Sequence, residues 1–196
     1  MPKKKKAEEK AEEAEEVQAP LRGLLIGNKV IASGADLPRA HELHDKGAFG
    51  EAHGVKKKRF EYALIEALYL AEKGRLNIFD TRSKELNFEQ FVRRVSRIEK
   101  GFWTRYQVYR DIRTRGYIVK TALKFGADFR VYSRGIKPGE GHAKWVLFCT
   151  AEGDQYNWRQ FAAMNRVAHS TRKKLLIGVV DEEGEVSYWE VRWKKP

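Results

Sequence analysis

Two side chains that can exchange protons with a substrate stand out in the second half of the sequence. Tyr132 ends a short apolar-polar alternation that begins at Phe129, and His142 follows a glycine-rich stretch just before the next apolar run. Both are bracketed by turn residues, and tyrosine and histidine can each act as a general acid or base. Neighbouring strands can bring two such positions together. The ordinary alternative is a surface tyrosine and a loop histidine without any chemical role.

A third group of residues has the character of a phosphate site. Four cations and no acid lie between residues 166 and 174, namely Arg166, Arg172, Lys173 and Lys174. They fall at a predicted junction between a helix and a strand, where a phosphate group could be held by charge. Taken alone, the same residues are equally typical of a solvated helix end.

Most other chemistries have no support in the sequence. A glycine-rich phosphate loop, an HExxH motif and a GxSxG elbow are all missing. The histidines at positions 41, 44 and 53 are irregularly spaced, and the single Cys149 has no partner for a disulfide or a metal site, so a buried structural thiol is expected. Asp128 and Glu140 have a separation used by metal-dependent DNA nucleases, but the lysine expected after the glutamate is replaced by His142. We therefore expect no metal ion and no cofactor.

The charge of the chain favours an anionic partner. The formal net charge is +12, and residues 105–145 carry ten basic and three acidic residues, a local balance of +7. Such a localised excess of one sign favours nucleic acid over a merely solvated surface. The basic residues are spread over helix, strand and loop patterns, whereas a membrane surface prefers one basic amphipathic helix. With no signal peptide and no apolar stretch of membrane-spanning length in the sequence, we expect a soluble cytoplasmic protein.

The periodicities predict an α/β protein with two units behind a charged tail. Residues 1–19 are mostly Lys, Glu and Ala and are expected to be disordered. A small N-terminal α/β domain, residues 20–80, is predicted from a hairpin at 24–31, a long loop at 33–57, a helix before Gly74 and a strand at 76–79. A C-terminal domain, residues 81–196, is predicted to hold a mixed sheet flanked by helices. Its expected elements are helices from Asn87 and around Tyr106, strands at 117–121, 128–133 and 144–150, a helix from Asn157, and strands at 175–180 and 185–193.

Several segments together resemble a catalytic subunit of the archaeal tRNA-splicing endonuclease family. The resemblance covers residues 21–196 and is more specific in the second half. The segments that carry it are EALYL at 66–70, GRL at 74–76, YRDIRTRGY at 109–117, KFGADFRVY at 124–132, GHA at 141–143 and RVAHSTRKK at 166–174. The resemblance implies an endonuclease that excises introns from precursor tRNA at bulge-helix-bulge motifs, without a metal. The family's Tyr-His-Lys triad corresponds to Tyr132, His142 and Lys173, with Lys174 as the adjacent alternative for the lysine.

These implied roles agree with the chemistry of RNA cleavage. The 2′-hydroxyl of RNA is its own nucleophile, so the enzyme must remove that proton, protonate the 5′-oxygen and stabilise the charged phosphorane. Histidine suits the acid, and tyrosine can serve as the base when nearby cations such as Arg130 and Lys173 stabilise its phenolate. The implied products carry a 2′,3′-cyclic phosphate and a 5′-hydroxyl.

The resemblance also implies contacts with RNA and with other subunits. Arg166 matches one arm of a cation-π clamp on a bulged base, and Tyr188 or Trp189 is the candidate for the second arm, although either ring is equally suited to ordinary packing. Lys46, in the predicted long loop, is a further candidate RNA contact. That loop resembles the extra segment of a subtype that pairs with a structural subunit, so we expect a heterotetramer, with a homotetramer as the alternative. A non-catalytic RNA-binding subunit and a metal-dependent DNA nuclease remain the competing functions.

Overall fold

The first sheet is built from six short strands in the N-terminal half of the chain. The computed structural model describes residues 19–194, and the predicted tail lies outside them except for its last residue. The strands are Leu21–Ile26 (β1), Lys29–Ser33 (β2), Glu51–His53 (β3), Arg59–Ala63 (β4), Leu76–Phe79 (β5) and Glu85–Leu86 (β6). Their order is β3-β4-β2-β1-β5-β6, with β1 and β5 parallel and the other neighbours antiparallel. The hairpin predicted at residues 24–31 is confirmed as β1 and β2.

The long loop predicted over residues 33–57 is wrong. The segment holds a helix, Leu37–Gly47 (α1), the strand β3 and two short 3₁₀ turns. Helix α1 buries Ala40 and Leu43, and its histidines act as packing groups, since the His41 ring meets the Phe60 ring edge-on at 4.7 Å between centroids. The buried face of the helix is narrow, because it consists of Ala40 and Leu43 while His41 is exposed and His44 half-buried. The periodicity in the sequence is correspondingly weak.

The second sheet has five strands and carries the positions singled out for chemistry. The strands are Ile118–Thr121 (β7), Phe129–Tyr132 (β8), Trp145–Ala151 (β9), Lys174–Val180 (β10) and Val186–Val191 (β11). Their order is β11-β10-β9-β8-β7, with β9 and β10 parallel and the other pairs antiparallel. The sheet is mixed, as predicted, and the α/β fold class is confirmed.

Four further helices surround the sheets. They are Leu64–Glu72 (α2), Phe88–Ile98 (α3), Phe102–Thr114 (α4) and Trp158–Ser170 (α5). The two predicted capping boxes are present, since the Asn87 side chain accepts from Gln90 N at 2.9 Å and the Asn157 side chain accepts from Gln160 N at 2.9 Å. No helix within residues 19–194 has the length and apolar character needed to cross a bilayer.

One hydrophobic core joins the two sheets through helix α4. Tyr109 of α4 meets Tyr69 of α2 at 5.7 Å on one side and Phe129 of β8 at 5.6 Å on the other, measured between ring centroids. The cluster of buried residues continues from Leu21 to Val180 without a break between the two halves. The division into domains at residues 20–80 and 81–196 stays a prediction, and β6 belongs to the first sheet although it follows residue 80. Helix α5 covers the opposite face of the second sheet, over a small cluster that includes Val146 and Leu175.

Candidate active site

Three strand ends meet at one edge of the second sheet. Strand β8 runs antiparallel to β9, and β9 runs parallel to β10, so the end of β8 lies beside the starts of β9 and β10. Two backbone hydrogen bonds close this edge. Lys144 N donates to Val131 O at 2.8 Å, and Lys174 N donates to Lys144 O at 3.0 Å. Tyr132, His142 and Lys173 each lie within two residues of one of these bonded groups, so the sheet brings their backbones together.

The alternation of side chains decides which lysine shares a face with Tyr132. Val131 lies in the core beneath helix α4, and the register carries that face through Trp145 to Lys174. The neighbouring row, with Tyr132 and Lys173, therefore falls on the face covered by α5. Lys174 is engaged on its own face, where its Nζ donates to Glu190 Oε1 at 2.9 Å. The geometry thus separates two lysines that the sequence left as alternatives.

Tyr132 ends β8 as predicted, and its side chain is buried. Arg130 lies two residues earlier on the same face of the strand. Its guanidinium sits over the Phe125 ring, 5.5 Å from the centroid, and its Nε is buried with no hydrogen-bond partner within the described residues. This face of β8 therefore provides a tyrosine with a cation close by in the strand.

His142 is exposed to solvent on the segment that joins β8 to β9. The segment is organised by turns, because Glu140 N donates to Lys137 O at 3.1 Å and Lys137 N donates to Glu140 Oε2 at 3.2 Å. Gly139, with φ of +97°, supplies a backbone conformation that other residues rarely adopt. His142 is therefore held on a structured loop with its ring open to an incoming substrate.

Lys173 follows a tight C-terminal cap of helix α5. Arg172 N donates to His169 O at 3.0 Å and Lys173 N donates to Ala168 O at 2.9 Å, which is the bonding pattern of a Schellman motif. The left-handed position of that motif is usually glycine, and here it is Arg172 with φ of +54°. Such a conformation costs a non-glycine residue roughly 1 kcal/mol. The cap ends the helix, so that Lys173 lies at the sheet edge directly before β10. The Lys173 Nζ donates to Thr171 O at 2.9 Å.

Lys144 is bonded through its backbone to Val131 and to Lys174, and it was not singled out from the sequence. Its Nζ lies 4.3 Å from the centroid of the Trp145 ring, on the face of the sheet opposite Tyr132. The signal that would have found it is that β8, β9 and β10 are neighbours. That neighbourhood is a property of the sheet and not of any local motif.

The candidate RNA-contact residues differ in how accessible they are. Arg166 is exposed on α5. Trp189 is 53% exposed, and it lines an apolar groove of about 300 Å³ with Phe161 of α5. The hydroxyl of Tyr188, in contrast, donates to Asp111 Oδ2 at 2.8 Å, which ties that ring to helix α4. Of the two aromatic alternatives, Trp189 is the ring available for stacking, although no cation-π contact joins it to Arg166 within residues 19–194.

Lys46 lies in the last turn of α1 rather than in a loop. Its side chain is 74% exposed, and its Nζ is 2.7 Å from Glu42 Oε1, one helical turn earlier. The pair is of the surface type that contributes little to stability, so the lysine remains free to exchange partners.

The three histidines that share one segment have separate environments. His41 packs on Phe60, and His44 Nδ1 donates to Gly50 O at 3.1 Å. His53 lies on the first sheet, with its Nε2 3.6 Å from Glu51 Oε2. Within residues 19–194, no three His, Cys, Asp or Glu side chains form a group that could hold a metal ion.

The two carboxylates considered for a DNA nuclease bind different backbone segments, Asp128 a residue of β9 and Glu140 a turn. Asp128 Oδ2 accepts from Cys149 N at 2.8 Å, whereas Glu140 accepts from the turn before His142. Burial raises the pKa of the Asp128 carboxyl, and burial followed by the charge of Asp128 raises the pKa of the Cys149 thiol well above its usual range. Asp128 therefore fixes β8 to β9.

The candidate triad lies outside two cavities of the described structure. A cleft of about 600 Å³ between the two sheets is lined by residues such as Lys29, Glu61 and Asp128, and the apolar groove lies under Trp189. Tyr132, His142 and Lys173 line neither of them. A site on an open sheet edge suits a large substrate better than a small enclosed one.

The chain is similar over most of its length to tRNA intron endonucleases. The profile of the tRNA intron endonuclease catalytic C-terminal domain matches residues 102–188, and that of the tRNA intron endonuclease N-terminal domain matches residues 21–92. The tRNA-splicing endonuclease of Nanoarchaeum equitans is 38% identical over 180 residues, which is 89% of this chain and 99% of the relative. That of Methanothermobacter thermautotrophicus is 39% identical over 171 residues, which is 87% of this chain and 96% of the relative. That of Pyrococcus furiosus is 40% identical over 155 residues, which is 79% of this chain and 86% of the relative.

Proposed function

The chain belongs to the tRNA intron endonuclease family, and we propose that it excises introns from precursor tRNA by cutting bulge-helix-bulge motifs in the cytoplasm without a metal ion. The observation that supports this proposal is the meeting of three strand ends at one open edge. Two backbone hydrogen bonds, at 2.8 and 3.0 Å, tie those ends together. An acid, a base and a cation can therefore act on one phosphate while the rest of a large RNA extends beyond the protein.

The proposed reaction is a transesterification within the RNA. Tyr132 takes the proton of the 2′-hydroxyl, and the 2′-oxygen forms a bond to the adjacent phosphorus. The bond from phosphorus to the 5′-oxygen breaks, and His142 donates the proton that the leaving oxygen requires. Lys173 stabilises the negative charge that develops on the phosphorane. The products are a 2′,3′-cyclic phosphate and a 5′-hydroxyl, and no cofactor takes part.

Tyr132 can act as a base only when positive charge lies close to its hydroxyl. A positive charge close to the phenolate favours its ionised form. Arg130 shares the Tyr132 face of β8, and Lys173 falls on the same face when the alternation of β10 is extended by one residue. Histidine is the side chain that most often transfers protons in catalysis, which suits His142 to protonate the leaving oxygen.

The proposed RNA contacts extend from the sheet edge over helix α5. Arg166 holds one face of a bulged base, and Trp189 is the preferred second arm because its ring is 53% exposed. Tyr188 remains the alternative, and it would have to give up its hydrogen bond to Asp111. Lys46 is proposed to contact the phosphate backbone from the end of α1.

The proposed assembly is a heterotetramer of two catalytic chains and two structural partners. One chain carries one triad, whereas the substrate has two bulges, so two catalytic copies must be held at a fixed separation. The segment at residues 33–57, which resembles the extra segment of the partnered subtype, is ordered and packed by α1 and β3. Light scattering tests this assembly. A stable tetramer of this chain alone that cuts both bulges at full rate would establish the homotetramer instead.

Incubation of the purified chain with a bulge-helix-bulge RNA in excess EDTA tests the proposed function, with and without a structural partner. We expect cleavage at both bulges with cyclic phosphate ends, identified by mass and by resistance to phosphatase. Loss of cleavage in EDTA with recovery in magnesium would identify a metal-dependent nuclease. Tight RNA binding without any cleavage would identify a non-catalytic subunit.

A further inference from the structure

A line of side-chain contacts runs along the edge of the second sheet that holds the proposed triad, from Tyr117 just before β7 to Glu190 of β11. The Arg134 guanidinium lies 4.9 Å from the Tyr117 ring centroid, and the Tyr117 and Trp145 rings meet at 6.0 Å with planes 77° apart. Trp145 Nε1 donates to Glu190 Oε2 at 2.9 Å, and Lys174 Nζ donates to Glu190 Oε1 at 2.9 Å. We call these five residues the edge ladder.

The edge ladder lies directly behind the proposed catalytic residues. It belongs to the face covered by α4, whereas Tyr132 and Lys173 fall on the face covered by α5. Members of the ladder follow Tyr132, His142 and Lys173 in sequence by two, three and one positions. A change in the orientation of a side chain in the edge ladder therefore moves the backbone of Tyr132, His142 or Lys173, which is only one to three residues away.

The Glu190 side chain of β11 connects three strands through hydrogen bonds. Its carboxylate accepts from the indole of Trp145 on β9 and from the ammonium of Lys174 on β10, and Arg192 at the end of β11 also donates to it at 3.1 Å. These donors, the indole first, lower the pKa of Glu190 to about 2, so the acceptor is ionised at neutral pH.

The exposure of these groups argues against a role limited to stability. The Glu190 and Lys174 side chains are 27% and 41% exposed. Ion pairs with that degree of exposure contribute little to the free energy of unfolding. A charged acceptor that binds donors from two other strands does, however, fix their orientation, because the hydrogen bonds to it are directional.

We propose that Trp145 and Glu190 are positioning residues for the cleavage reaction, which fix the relative placement of His142 and Lys173 through the edge ladder. This inference rests on the proposed function of the site. The hydrogen bond from Lys174 N to Lys144 O aligns the segments that carry His142 and Lys173. The contacts from Trp145 and Lys174 to Glu190 restrain the same two segments from the opposite face of the sheet. Small errors in the placement of reacting groups are enough to slow catalysis strongly.

The test compares single-turnover cleavage and RNA affinity in Trp145→Phe, Glu190→Gln and the double variant, with the structural partner present if the wild type needs it. Each single change should slow cleavage about 10-fold while the dissociation constant for the RNA changes less than about 2-fold. Trp145→Phe removes the indole donor and Glu190→Gln removes the charge that strengthens the bond to it, so both changes weaken the same contact and the loss in the double variant should be smaller than the product of the two single losses. Simple destabilisation would not give this combination of results.

The matched control is Thr150→Val at the opposite end of β9. It removes the bond from Thr150 Oγ1 to Asp154 Oδ2, at 2.8 Å, from the same strand but far from the proposed triad. We expect a loss of stability with an unchanged cleavage rate. A readout without RNA is the exchange of the Lys144 and Lys174 amide hydrogens, which should be faster in Trp145→Phe and unchanged in Thr150→Val.

The outcomes separate this inference from the proposed function. Wild-type cleavage with undiminished rates in Trp145→Phe and Glu190→Gln would overturn the positioning role alone. Rate losses that add in the double variant, or that Thr150→Val reproduces, would do the same. A wild-type enzyme that leaves the RNA uncut would overturn the proposed function together with this inference.

Discussion

Replacement of Lys120 by methionine removes a buried cation that joins the two halves of the chain. Lys120 Nζ donates to Glu66 Oε1 at 2.8 Å, to Ala48 O at 3.0 Å and to Gly50 O at 3.3 Å. The two charged side chains are only 8% and 5% exposed. Lys120 lies in β7 of the second sheet, whereas its three partners all belong to the N-terminal half.

The expected loss follows from what the substitution leaves behind. Glu66 keeps one partner, because its Oε2 still accepts from Ala63 N at 3.2 Å, and Gly50 O keeps the donor His44 Nδ1 at 3.1 Å. The negative charge of Glu66 loses its compensating cation, and loss of one member of a buried ion pair costs about 3–5 kcal/mol. We expect Lys120→Met to lower the free energy of unfolding by about 4 kcal/mol, out of a total of about 5–15 kcal/mol for an ordinary domain.

Urea unfolding followed by circular dichroism measures this loss, and the chain provides a matched control. Lys46 and Glu42 form the same kind of pair at 2.7 Å, but the lysine side chain is 74% exposed. Lys46→Met should therefore cost less than about 0.5 kcal/mol. Lys120→Met combined with Glu66→Gln should recover part of the loss, because glutamine removes the buried charge and keeps an oxygen for Ala63 N.

A loss below about 1 kcal/mol in Lys120→Met, or one equal to that of Lys46→Met, would refute the reasoning from burial. Since one hydrophobic core runs through both halves, we also expect a single unfolding transition in the wild type. Two separate transitions would mean that helix α4 does not couple the halves.

Three further results are expected. His142→Ala should slow single-turnover cleavage about 100-fold or more with nearly unchanged RNA affinity, as measured in parallel kinetic and binding assays, because a general acid acts in the transition state. Arg166→Ala should weaken binding of a bulged RNA by about 1–3 kcal/mol in filter binding, while a fully paired RNA of equal length is little affected; equal losses would exclude the clamp. The pKa of Glu190 is lowered from 4.5 to about 2, so its contribution to stability is present above pH 4.5 and disappears as the pH falls towards 2. The stability difference between wild type and Glu190→Gln should shrink over that interval in pH-dependent denaturation, and a constant difference would contradict the assigned contacts.

The elements with local signals were predictable from the sequence. Asn87 with Gln90 and Asn157 with Gln160 begin helices because each pair satisfies backbone N–H groups that the first helical turn leaves unbonded. The strands of the second sheet and the turn at residues 181–184 were predictable for a similar reason, since apolar alternation and glycine are local properties. Helix α1 was not predictable because only Ala40 and Leu43 are buried on it, and the packing of its histidines on Phe60 depends on a strand far away in sequence.

The candidate site was predictable in its residues but not in its arrangement. Tyr132 and His142 stand out by type and by flanking turns, whereas the choice between Lys173 and Lys174 depends on which strands are neighbours. The choice between Tyr188 and Trp189 depends likewise on the distant Asp111, which accepts the tyrosine hydroxyl. Pairing between strands is a long-range property, so no local pattern contains it.

The environment of Cys149 has a practical consequence for spectroscopy. The raised pKa keeps the only thiol of the chain protonated at neutral pH, and a protonated thiol reacts slowly with maleimide dyes. A cysteine introduced at an exposed position, such as Ser170 near the proposed active site or Glu182 in the turn between β10 and β11, would therefore be labelled selectively without removal of the native one. Energy transfer between such dyes can then follow substrate docking and subunit exchange in the otherwise unaltered protein.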